Sequence, residues 1–81
     1  MEYLLEISPR AWKDIRHLDE HTIKRIVAGI ETLKDGLPGD VKKLRDFPIG
    51  YRLRIGKHRV LFDIDTDTII IRRIKHRREA Y

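Results

Sequence analysis

Tyr51-Arg52-Leu53-Arg54-Ile55-Gly56-Lys57-His58-Arg59-Val60-Leu61-Phe62 decides the fold of this chain. Tyr51, Leu53 and Ile55 alternate with Arg52 and Arg54, the two-residue period of a strand with unlike faces. Val60, Phe62 and Ile64 then alternate with Arg59, Leu61 and Asp63. Between the two runs, Gly56-Lys57 is a two-residue connection with glycine at its first central position, which suits a type II′ hairpin turn. That turn sets a register: Ile55 faces His58, Arg54 faces Arg59, Leu53 faces Val60, Arg52 faces Leu61 and Tyr51 faces Phe62. The apolar partners then fall on one side, and Arg52, Arg54 and Arg59 share the other.

Beyond this hairpin, Asp65-Thr66-Asp67 is a turn cluster and the β-branched run from Thr68 to Ile74 adds a further strand. Ile69 to Ile71 are apolar on both faces, which leaves the register of that strand open. Before Val41 the period is helical. Ala11, Trp12, Ile15 and Leu18 recur at three- and four-residue spacing, predicting a first helix that turns this stripe inward, Trp12 included. It starts at a Ser8 cap with Pro9 in its first position and ends near Asp19. Ile23, Ile26, Val27, Ile30 and Leu33 predict a second helix from about Glu20 to Asp35, stopped by Gly36. Gly29 in mid-helix costs about 1 kcal/mol against alanine, which suggests the close approach of another backbone, with tolerated slack as the alternative. Tyr3, Leu4, Leu5 and Ile7 form a strand ahead of the helices. The order β-α-α-β-β-β argues for an α+β fold, an antiparallel sheet with an N-terminal helical hairpin packed on one face.

The 81 residues carry no linker-like stretch and are expected to form one domain over residues 1–81, near the lower size at which a core alone holds a fold. With no cysteine, disulfides and a thiol nucleophile are excluded, which fits a reducing cytoplasmic setting. The N-terminus has acids and an early proline where a signal peptide needs a basic start and an apolar run. No stretch is apolar for the roughly 18 to 20 residues a membrane span requires. The turn Gly36-Leu37-Pro38-Gly39 lacks the Lys-Ser/Thr of a phosphate loop, so nucleotide binding there is not supported. The formal charge of +5 is uneven: residues 1–41 hold six Lys/Arg against eight Asp/Glu, whereas residues 42–81 hold twelve against five. One face should therefore attract a polyanion.

Like charges opposite one another on a sheet are destabilising by up to about 1 kcal/mol, so a chain that keeps Arg54 against Arg59 is expected to hold an anion there. Guanidinium groups suit phosphate because their planar donors match its oxygens in pairs and stay charged at any working pH. The bland alternative is that Asp46, Asp63 or Glu79 neutralises the trio. The last seven residues, Lys75-His76-Arg77-Arg78-Glu79-Ala80-Tyr81, mix cations, an imidazole and an aromatic, a combination that suits single-stranded RNA. Lys42, Lys43, Arg45, Arg73, Lys75 and Arg78 are the candidate RNA-binding cations.

The strings Lys43-Leu44-Arg45-Asp46-Phe47-Pro48, Gly50-Tyr51-Arg52-Leu53-Arg54-Ile55-Gly56, His58-Arg59-Val60-Leu61-Phe62 and Ile74-Lys75-His76-Arg77-Arg78-Glu79-Ala80-Tyr81, in that order and spacing, resemble RelE-type toxins of the RelE/ParE toxin–antitoxin superfamily. The resemblance implies a metal-independent, cofactor-free endoribonuclease that enters the ribosomal A site, cuts messenger RNA and is held inactive by a cognate antitoxin. It implies attack by a ribose 2′-hydroxyl on the adjacent phosphate, with Arg59 stabilising the phosphorane, Arg77 or Arg78 aiding leaving-group protonation and Tyr81 orienting the substrate. Two lysines that act around the attacking hydroxyl in that family are here Arg52 and Arg54, and arginine is a poor general base. Either His76 carries the proton, or Arg52 and Arg54 act electrostatically while the ribosome aligns the RNA.

The other histidines read blandly. His58 falls on the core-facing side of the hairpin, where packing or a turn hydrogen bond is expected. His17 and His21 have metal-pair spacing but straddle the helix break and lack further ligands. Two competing functions share these features: a ParE-like toxin acting on DNA gyrase, and a basic RNA-binding module that does not cut.

Overall fold

The computed structural model describes residues 2–37 and 40–79. Strand β1 (Leu4–Ile7) is followed by helices α1 (Pro9–Arg16) and α2 (Glu20–Thr32), a one-turn 3-10 extension at Leu33–Asp35, and strands β2 (Val41–Lys43), β3 (Tyr51–Ile55), β4 (His58–Asp65) and β5 (Thr68–His76). The sheet order is β1-β5-β4-β3-β2. The hairpin register is the one the alternation predicts, with Arg54 opposite Arg59 and Leu53 opposite Val60.

The α+β architecture stands, but the sheet is mixed. From β2 to β5 it is antiparallel, whereas β1 runs parallel to β5, Leu4 beside Thr68 and Ile7 beside Ile71. Parallel neighbours need a long crossover, and here the helical hairpin and three strands supply it. Short β2 is a fifth strand, one more than the sequence order implied; it places Lys42 beside Arg52.

Both helices start as the sequence predicts. Ser8 Oγ accepts from Ala11 N at 3.2 Å with Pro9 at the first position, and Asp19 Oδ2 accepts from Thr22 N at 3.3 Å. The first helix is shorter than expected, stopping at Arg16 rather than near Asp19. Eight residues bury only Ala11 and Ile15, and Trp12, a step round the helix from Ala11, is 52% exposed instead of lying in the core. Gly29 does mark a close approach, though to a side chain: a Cβ there would run into Ile55 Cδ1, with Cγ1 at 3.0 Å. Gly36 ends the helical segment at φ 133°, a conformation that favours glycine.

One apolar cluster joins Ala11, Ile15, Ile26, Ile30 and Leu33 to the sheet residues Leu53, Val60, Phe62, Ile69, Ile71 and Ile74. Each large aliphatic side chain buried this way contributes about 1.5–3 kcal/mol. A bulge settles the register of β5: Phe62 pairs with Ile71 but Leu61 with Arg73, so Arg72 is the extra residue. Because of it Ile71 and Ile74, three apart, both face the helices.

Candidate nucleic-acid interface

The face of the sheet turned away from the helices is basic. Register places Lys42, Arg52, Leu61 and Arg73 in one row across four strands and Arg54, Arg59 and Lys75 in the next. Leu61 is fully buried yet stands outside the apolar cluster of the helical face, so it anchors this second face; long cationic side chains flank it, and their alkyl stems suit that contact. Arg52 Nε is buried and has no hydrogen-bond acceptor among the described residues. A desolvated charged donor of this kind is costly unless an acceptor meets it.

The acids that could have neutralised the arginine trio are engaged elsewhere or form no ion pair. Asp63 holds Arg72 Nε at 3.0 Å and accepts from Gly50 N at 2.7 Å. Glu79 Oε1 accepts from His76 N at 3.0 Å. Among the described residues Asp46 makes no ion pair, and none reaches Arg52, Arg54 or Arg59. Arg59 instead lies along the hairpin turn, with Nη1 donating to His58 O at 3.2 Å.

Arg73 differs from its row. Its Nε and Nη2 donate to Asp14 of α1 at 2.8 and 3.3 Å. Partial burial would raise the Asp14 carboxyl, but hydrogen bonds from Arg73 and the Ile74 amide and the charges of Arg73 and Arg10 outweigh it and hold it below the ordinary carboxylate value. This link spans 59 residues of sequence and left no periodic signal. Arg73 is therefore committed to the scaffold as well as to the face.

The remaining candidates scatter. Lys43 pairs with Tyr51 on the helix side of the edge strand, and Arg45 is exposed in the loop that follows. His76 lies opposite His58 on the helix side, their rings edge to face at 5.2 Å, so it is not brought to the arginine row. His58 is half-buried on the core-facing side as expected; desolvation depresses its pKa, with the His76 and Arg25 charges adding to this against Asp19 and Glu79. Arg77 and Arg78 are exposed just past β5, the Arg77 amide donating to Lys57 O at 2.7 Å and the Arg78 amide to His76 Nδ1 at 3.1 Å. Tyr81 lies outside the described residues.

Residues 5–81 match the family model described as the ParE toxin of the type II toxin–antitoxin system parDE. The chain belongs to the RelE/ParE toxin family. It is 39% identical to the putative toxin RelE1 of Methanocaldococcus jannaschii across all of this chain and 97% of that one. Toxin RelE3 of the same organism is 36% identical over 74 residues, covering 85% of this chain and 84% of its own length. The toxin's fold superposes with a TM-score of 0.82 on the archaeal RelE-RelB complex from Pyrococcus horikoshii, at 26% identity over 99% of this chain and 100% of that one. This chain is thus a toxin of the type II toxin–antitoxin class. No helix among its described residues is long and apolar enough to cross a membrane.

Proposed function

We propose that this toxin is a ribosome-dependent, metal-independent endoribonuclease that cuts messenger RNA and is held inactive by a cognate antitoxin of the RelB kind. The observation that carries the reading is the pair Arg54 and Arg59, directly opposed, flanked by Lys75 and Arg52 and free of any ion pair among the described residues. Uncompensated guanidinium groups in one row supply donors for a phosphodiester and for the extra negative charge of its phosphorane. Arg59 acts on the phosphate, Arg52 and Arg54 act around the 2′-hydroxyl, and the exposed Arg77 and Arg78, with Tyr81, serve the leaving group and the base. Lys42, Lys75 and Arg45 extend the backbone contacts, whereas Lys43 faces the helix side.

The position of His76 on the helix side supports the electrostatic account of the first proton transfer: the arginines stabilise charge while the ribosome aligns the RNA for in-line attack. An antitoxin partner is supported by the relatives, since the Pyrococcus structure is a RelE-RelB complex. The gyrase-directed alternative keeps one support, the parDE description of the matching family model.

Mapping new 5′ ends on messenger RNA after induction, for the wild type and Arg59→Ala, separates them. Arg59-dependent cuts confined to translated regions support the nuclease. Growth arrest without new ends transfers the reading to gyrase, and neither effect leaves a binding module.

A further inference from the structure

At the far end of the hairpin the turn Gly56-Lys57 leans over α2 and closes a cleft of about 340 Å³, within the range of small-ligand sites. Its polar lining is Thr22, Arg25, Lys57 and His58, and Ile26 and Ile55 give it an apolar floor. Gly56 is the reason the cleft is open to Arg25: at φ 55° it lacks a side chain, and a Cβ there would stand 2.9 Å from Arg25 Nη2. Arg25 and Lys57 are exposed, and neither enters an ion pair among the described residues. Asp19, the acid at the start of α2, is occupied in capping Thr22 through its backbone amide and its hydroxyl. Glu79 beyond β5 is taken by the His76 amide.

Two unpaired cations, a hydroxyl and an imidazole thus converge on one opening whose nearby acids are already engaged. The geometry points to an oxyanion site in this cleft that takes a phosphate group, held by Arg25 and Lys57. It lies on the helix side of the sheet, so it is distinct from the Arg54–Arg59 row, but the hairpin turn joins the two: Arg59 Nη1 also approaches Gly56 O at 3.5 Å. A strand crossing the arginine row can pass round the turn and seat a neighbouring phosphate in the cleft. That choice of source rests on the RNA reading above; the phosphate chemistry does not.

The test uses the full chain and two probes, inorganic phosphate and a 2′-O-methyl oligoribonucleotide that cannot be cut. In amide NMR spectra, phosphate should shift Gly56, Lys57 and His58 in the wild type and leave them unmoved in Arg25→Gln/Lys57→Gln. The same double variant should bind the oligoribonucleotide roughly fivefold more weakly, with its salt slope reduced by about 0.7, the value of one single-strand phosphate contact. Lys13→Gln/Arg16→Gln, which removes equal charge from α1, should keep the phosphate shifts. Melting curves check that each variant is folded.

Phosphate shifts with an unchanged oligoribonucleotide slope support the site but overturn RNA as its source, in favour of a free phosphate compound. No phosphate shift at the three amides overturns the site itself. Neither result depends on cleavage, so failure of the nuclease reading is seen separately, in the Arg59→Ala comparison.

Discussion

One carboxylate, that of Asp14 on α1, binds both the Arg73 guanidinium and the Ile74 amide of β5, Oδ2 lying 2.8 Å from Arg73 Nε and 2.9 Å from Ile74 N. The contact sits where β1 has ended and β5 continues with β4 on one edge and, among the described residues, no strand on the other. The Ser8 amide donates to Ile71 O at 2.9 Å, and past that point Asp14 replaces the missing strand as acceptor. It therefore fastens α1 to the strand that carries Lys75.

Asp14→Ala leaves the Ile74 amide and a partly buried guanidinium without their partner, and should lower the unfolding free energy by about 1–3 kcal/mol in urea titrations. Asp14→Asn, which keeps an acceptor, should lose less. The pH dependence follows from the depressed carboxyl. Its contribution is fully present above the ordinary value of 3.8 and is lost as pH falls through the lower folded value. A wild type and Asp14→Ala that lose stability in parallel as pH falls from 3.8 through the folded value would rule this out.

Gly29 and Ile55 form a tight seam between α2 and the sheet. Gly29→Ala gains about 1 kcal/mol of helix propensity but overpacks against Ile55, at a typical cost of 1–3 kcal/mol. The expected result is a lower melting temperature. Shortening the opposing chain in Gly29→Ala/Ile55→Val removes the colliding Cδ1 and should restore part of the loss, a coupling that a double-mutant cycle reads directly.

A side chain's face was legible in the sequence wherever it follows from local period. Two residues of turn between Ile55 and His58 were enough to pair Arg54 with Arg59, because a tight turn leaves no freedom of register. What was not legible is decided by contacts distant in sequence or by packing at the margin of a stripe. Trp12 stands one residue round from Ala11, Ile15 and Leu18, which do pack inward, so it lies at the margin of the stripe, where packing rather than period decides what is covered. Arg72 is an extra residue in β5 only because of a bulge, and Ile69 to Ile71 are too uniformly apolar to reveal it. His76 is close to the cations in sequence, but its pairing with His58 turns it to the opposite face. The cleft at Arg25 forms between a helix and the Gly56-Lys57 turn, far apart in sequence, which no periodicity can report.

His58 gives a second pH signature, at higher pH. Desolvation, with help from the His76 and Arg25 charges, holds its folded pKa below the ordinary 6.5, so the unfolded chain binds the proton more readily. Stability should be full above that value and fall as pH drops through 6.5 toward the folded pKa. His58→Gln, which cannot ionise, should flatten this part of the curve between pH 8 and 5. An unchanged slope in the variant would assign the effect to another group.

On the proposed function, the opposed pair Arg54 and Arg59 sets function against stability. Two like charges in register repel, and replacing one with a neutral side chain of similar length removes a penalty of up to about 1 kcal/mol. Arg59→Gln should therefore unfold at equal or higher urea concentration than the wild type, while abolishing growth arrest on induction, since the charge it removes is the one assigned to the phosphate. Tyr81→Ala should likewise lose toxicity with folding kept. The two readouts must move independently: a protein kept for an anion tolerates the repulsion for the sake of its ligand, whereas a structural arginine stabilises the fold through its own neighbours. Should Arg59→Gln instead unfold more easily than the wild type, its contact with His58 O would be the reason the residue is there, and the phosphate role would pass to Arg54 and Lys75.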